Sequence, residues 1–175
     1  NIGSILNMIK KVGAEGAPVR TAEELSRCSR LILPGVGRFD AGMALLEQSG
    51  MRRALDRAVA GGMPLLGICL GMQMLGRRSE EGPGAGLGYL PFDLKRFRLE
   101  NQPELKVPHM GWDYVTVERP DDPLVTGLEA EPRFYFVHSY HAVCDDPADV
   151  LMTCDYGYPF PAAVRRGSVW GTQFH

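Results

Sequence analysis

Residues 64–75, PLLGICLGMQML, decide how this chain is read. Leu65, Leu66 and Ile68 make a short apolar run of the kind that forms a buried strand, and Met72, Met74 and Leu75 open a helical stripe. Between them lie Gly67, Cys69 and Gly71, so one cysteine flanked by two glycines stands where strand becomes helix. A side chain at such a corner is pushed out at the carboxyl edge of the sheet, where open α/β folds bind their ligands. The pattern parallels the nucleophile elbow, in which small neighbours permit a strained turn and let substrate approach. The amides that open the helix at Leu70 point into the same space, and the positive end of the helix dipole favours a thiolate.

Working outward, LPGVGRF at residues 33–39 ends a second apolar strand at Pro34. Gly35 and Gly37 free its backbone, so the Val36 or Gly37 N–H can supply half of an oxyanion hole. The plainer reading is an ordinary strand-ending turn. A cysteine nucleophile needs an imidazole to take and return a proton. His109, His138, His141 and His175 are available, and on spacing alone each reads first as a structural or surface histidine. His175 is preferred because VWGTQFH reads as a strand whose carboxyl end opens on the edge that carries Cys69.

The rest of the first half alternates amphipathic helices with short apolar strands. Residues 4–13 place Ile5, Leu6, Ile9 and Val12 on one helical face, APVR at 17–20 reads as a strand, and TAEELS as a helical turn. RLILPG is a strand, and residues 50–62 repeat the helical stripe with Met51, Ala54, Leu55, Ala58 and Val59. This alternation predicts an α/β fold with an open, twisted, mostly parallel sheet flanked by helices. From about Leu94 onward the segments are strand-like, which predicts antiparallel strands and hairpins added to that sheet in the C-terminal half. EEGPGAGLGYLP at 80–91 reads as a flexible loop and lacks the spacing of a phosphate-binding motif. Arg77 and Arg78 read as favouring the negative pole of the elbow helix.

The 175 residues make one domain. A fold of this type is expected to begin with a strand and to close with a loop and helix, so flanking segments are expected outside residues 1–175. With 19 basic and 21 acidic residues and no long run of either sign, the chain offers no footprint for nucleic acid or anionic membrane. Cys28, Cys144 and Cys154 read as small buried hydrophobes in a reducing compartment, and the cysteine spacing matches no zinc site. These features predict a cytosolic protein without metal or cofactor.

GICLGMQ together with GTQFH resembles the class I, triad-type glutamine amidotransferases over essentially the whole chain. LPGVGRF, VPHMGWD, YFVHSYHAVC and the opening N-x-GS narrow the resemblance to the glutaminase subunits of imidazole glycerol phosphate synthase. The resemblance implies attack by Cys69 on the side-chain amide of glutamine and proton return to ammonia by His175. Leu70 and the Val36–Gly37 turn would stabilise the oxyanion. Gly35, Gln73 and the backbone of Ser139 and Tyr140 would bind the substrate, leaving His138 as a structural neighbour. Pro108, Met110, Trp112 and Tyr135 would meet a (β/α)8-barrel cyclase subunit, which carries the ammonia in a dry path to its acceptor in histidine biosynthesis. Partner binding would activate the glutaminase by ordering the PGVG peptide. The triad glutamate would stand two residues past His175, beyond the sequence. Asp113 stands where the family commonly has asparagine and reads as a solvated loop acid. The alternatives are a paralogous subunit for surface-sugar amination, another α/β cysteine hydrolase such as a peptidase, and a catalytically idle scaffold.

Overall fold

The computed structural model describes residues 2–175, so Asn1 of the opening motif lies outside the described residues. Helices α1 (Ile2–Lys11) and α2 (Ala22–Ser26) lead to strand β1 (Leu31–Gly35). Helices α3 (Phe39–Gln48) and α4 (Arg52–Ala60) follow, then β2 (Leu65–Cys69) and the elbow helix α5 (Leu70–Leu75). Ten strands complete the described chain: β3 (Arg78–Ser79), β4 (Gly82–Ala85), β5 (Phe92–Arg96), β6 (His109–Tyr114), β7 (Thr116–Val117), β8 (Arg133–His138), β9 (Tyr140–Cys144), β10 (Val150–Asp155), β11 (Pro159–Arg166) and β12 (Val169–Thr172).

The main sheet has the order β1-β2-β12-β11-β10-β7. Its first three strands are parallel and its last three pairings antiparallel, so the fold is α/β with a parallel half under the helices and an antiparallel half beyond. The register places Gly35 opposite Cys69 and Thr172 opposite Ile68. Parallel strands end on one edge, and this register delivers the ends of β1, β2 and β12 to a single place. Two apolar clusters support the two halves. Leu65, Leu70, Met72 and Leu75 pack with Phe39, Met43 and Leu55 under the parallel strands. Phe136, Leu151, Phe160 and Phe174 fill the antiparallel half.

Local chemistry explains the element boundaries. Thr21 and Glu24 form a reciprocal capping box at the start of α2, each side chain accepting the other's backbone N–H. Glu81 accepts the Phe39 N–H at 2.7 Å and so caps α3 from a distant segment.

Several expectations are corrected. Residues 17–20 form no strand. The glycine-rich segment is not a loop throughout: residues 82–85 are strand β4, paired with β3 and held against α3 by Gly84 N–H donation to Asp40. The late strands do not all extend one sheet, because β4-β3-β5-β9 and β6-β8 form sheets of their own. Arg77 and Arg78 lie beyond the end of α5 and pair with Asp93, Arg77 also forking onto Asp145 at 2.7 Å through two nitrogens. A fixed carboxylate offers a guanidinium more than a helix end does. The apolar face of α1 contains no buried residue, and Val12 is exposed.

Candidate active site

Cys69 ends β2 at φ 55° and ψ −113°, and among the described residues it alone takes a positive φ without being glycine. That strain persists because the turn is packed from both sides. A Cβ on Gly71 would lie 1.7 Å from the Leu33 carbonyl oxygen, so β1 and α5 approach this closely only with glycine there. The elbow therefore depends on two strands and a helix, each of which the sequence places in order.

A cavity of about 370 Å³ opens at the shared sheet edge. Cys69, Leu70, Gln73, Val36, Gly37, Pro108, Ser139, Tyr140 and His175 all line it, joined by Glu81, Val137 and His138. The sulfur of β2 and the imidazole after β12 thus face one space, although 106 positions separate them in the chain. Gly37 has φ +103°, a conformation that favours glycine, at the bend beside Cys69. Gly35 lies outside the lining and instead packs on Leu70 and Gly71 behind the elbow. Met110, Trp112 and Tyr135 are also outside it. They lie on the two-stranded β6-β8 sheet, where Trp112 pairs with Tyr135 and their rings meet at 5.8 Å. Met110, Trp112 and Tyr114 are all exposed there.

The electrostatics correct one expectation. Burial pushes the Cys69 thiol up, and the hydrogen bond from the Leu70 N–H only partly opposes it. A six-residue helix does not offset desolvation of the thiolate, so the sulfur needs a base. Burial also holds the His175 imidazole below its usual value, leaving it able to accept a proton.

Sequence reasoning missed Gln173. Fully buried, its side-chain amide donates to Cys69 Sγ at 3.8 Å and accepts from Gln73 Nε2 at 2.9 Å. Gln73 Nε2 also lies 3.5 Å from the Tyr140 carbonyl. A strand that alternates faces, with Gln173 two residues before a candidate imidazole, was the available signal. Glu81 was missed as well, hidden in a segment read as loop. His109 and Asp113 are also not loop residues: His109 is fully buried at the start of β6, and its Nε2 meets Asp113 Oδ2 at 2.6 Å.

A strained cysteine elbow sharing a cavity with a histidine from a neighbouring parallel strand fits the family model for class-I glutamine amidotransferases, which matches residues 3–175. The chain belongs to the class I glutamine amidotransferase family. Within it, the amidotransferase is 48% identical to the imidazole glycerol phosphate synthase subunit HisH 2 of Pseudomonas aeruginosa, the match covering 100% of this chain and 86% of that protein. It is 44% identical to the subunit HisH 2 of Methanococcus maripaludis, with the same coverages. A crystal structure described as a glutamine amidotransferase superposes with a TM-score of 0.71 at 25% identity, covering 100% of this amidotransferase and 85% of that chain. A glutamine amidotransferase from Thermotoga maritima superposes at 0.67 and 18% identity, a likeness of fold.

Proposed function

We propose that this amidotransferase hydrolyses glutamine to glutamate and ammonia and passes the ammonia to the cyclase subunit of an imidazole glycerol phosphate synthase. The kinship with HisH subunits supports the pathway, and the cavity supports the chemistry. The observation that carries the reading is the strained Cys69 elbow opening into the space that His175 also lines.

His175 takes the thiol proton as Sγ attacks the amide carbon of glutamine, forming a tetrahedral oxyanion. The Leu70 amide and the Val36–Gly37 bend, which line the same cavity as Cys69, are the donors assigned to that oxygen. Collapse breaks the C–N bond, His175 returns the proton to departing ammonia, and a glutamyl thioester remains on Cys69. Water, deprotonated by the same imidazole, releases glutamate. Glu81 offers a carboxylate to the substrate ammonium, while Gln73 and the 139–140 peptide hold its carboxylate end.

The exposed Met110, Trp112 and Tyr114 on β6 supply an apolar, aromatic face of the kind enriched at interfaces. With Pro108 and Tyr135 they form the surface for a (β/α)8-barrel partner, and the reaction takes place in the cytoplasm. No described helix is long and apolar enough to cross a membrane.

The test is glutamate release by the full-length protein with and without the purified cyclase subunit, beside labelling by a glutamine-analogue electrophile. Partner-dependent hydrolysis and one label per chain, at Cys69, are expected. Absence of hydrolysis in the presence of the partner and its acceptor would refute the reading.

A further inference from the structure

Three contacts run in series from the surface of β6 to the wall of the cavity. Asp113 Oδ2 lies 2.6 Å from His109 Nε2, His109 Nδ1 lies 3.2 Å from His138 Nε2, and His138 Nδ1 lies 2.8 Å from the Tyr140 carbonyl oxygen. Both ends of this chain, a carboxylate and a carbonyl, only accept. Three hydrogen bonds need three protons, and two neutral imidazoles bring two. The third must come from solvent, and only with it are all three contacts hydrogen bonds.

The position of that proton follows from burial. His138 is buried and its pKa is pushed down to about 3, so it stays neutral, donates from Nδ1 to Tyr140 and accepts at Nε2. His109 therefore donates through Nδ1, and the extra proton lies between His109 Nε2 and Asp113. Burial opposes a charge on His109 more strongly than the Asp113 carboxylate favours it, so the imidazole sits below its ordinary value and sheds the proton on the acid side of neutrality. The Asp113 side chain is 41% exposed, which gives the proton its route to water.

The other titratable groups nearby do not bond to this contact. His141 on β9 shares its Nε2 with the Tyr158 hydroxyl and is influenced by Glu80. Tyr156 stacks on His109 at 4.0 Å, but its hydroxyl donates to the Lys106 carbonyl. Cys154 on β10 feels the Asp113 charge and is held protonated by burial.

We propose that Asp113 and His109 are positioning residues for the 139–140 peptide, sharing a solvent-derived proton that locks the peptide when bound and loosens it when lost. The proposal rests on the glutaminase reading for its consequence, since that peptide is the assigned substrate wall, but the proton itself does not depend on that reading. Once that proton is lost two lone pairs must face each other somewhere in the chain, and the Tyr140 carbonyl loses its firm donor. Asparagine at 113 would change this. Its amide N–H donates to His109 Nε2, so the chain closes with both imidazoles neutral and without the solvent-derived proton.

The experiment compares wild type with Asp113→Asn, an isosteric change, by ¹⁵N NMR of histidine-labelled full-length protein from acid to neutral pH, with glutamine KM measured beside the cyclase subunit. His109 should titrate in wild type and not in the variant, while His138 remains protonated on Nδ1 at low pH. Above the transition, wild-type KM should exceed that of the variant by about fivefold, the value of one hydrogen bond, with kcat little changed. A wild-type His109 that does not titrate, identical titration in both proteins, or KM values that stay together would each overturn the proposal. Hydrolysis failing while His109 titrates as described would instead sink the glutaminase reading.

Discussion

Cys69 occupies a backbone conformation that most residues avoid, and its sulfur is both buried and made less acidic by that burial. Such a thiol reacts only when a base is beside it, the part we assign to His175. Cys69→Ala should abolish glutaminase turnover while leaving the thermal transition within a few degrees of wild type, as read by calorimetry on the same sample. Gln173 is the less obvious residue. Its amide is directed at the sulfur and holds Gln73 at the same time, so Gln173→Leu removes a donor to the thiolate and frees the Gln73 amide. The expected result is an upward shift of about one pH unit in the profile of Cys69 alkylation, in line with the loss of about one charge-assisted hydrogen bond. An unchanged profile would show that the amide serves packing alone.

At the scale of elements, the elbow exists because β1 and α5 touch through Gly71. Gly71→Ala would drive a methyl group into the Leu33 carbonyl, a backbone atom that cannot step aside, so destabilisation of about 3 kcal/mol or more is expected in urea unfolding. Strand β6 has two faces with different tasks. His109 is buried on one, while Trp112 projects from the other at 58% exposure. Trp112→Ala should weaken cyclase-subunit binding by about tenfold or more in calorimetric titration, with free-subunit stability changed little, as for an exposed aromatic anchor.

For the whole molecule, a buried ionic joint fastens the antiparallel half of the sheet to the segment that crosses it. Asp122 accepts from the Leu124 N–H and from Trp170 Nε1 and pairs with Arg165; burial alone would raise its pKa, but these donors together hold it below the usual carboxylate range. Its folded pKa is lowered, so its stabilisation is complete above the unfolded value near 4 and is lost as pH falls through the folded value. His138 acts in the same direction over a higher window: its stabilisation is complete above about 6.5 and fades toward about 3. Asp122→Asn should cost about 2 kcal/mol at pH 7, and the gap to wild type should shrink as pH approaches 3, as followed by urea melts at each pH.

What the chain alone determined was the sequence of local choices. The run from Pro64 to Leu75 specified a strand, a corner and a helix, because apolar spacing and small residues act over a few positions. Alternating segments specified α/β for the same reason, and the expectation that Cys69 and His175 line one space followed once VWGTQFH was read as a strand ending on the same edge. Only the tertiary structure decided that residues 82–85 form a strand against Asp40, that Arg77 serves Asp145, and that Gln173 and Glu81 face the groups they do. Hydrogen-bond partners more than ten residues apart leave no periodic trace, since they depend on which strands become neighbours. That choice is made by packing the whole core.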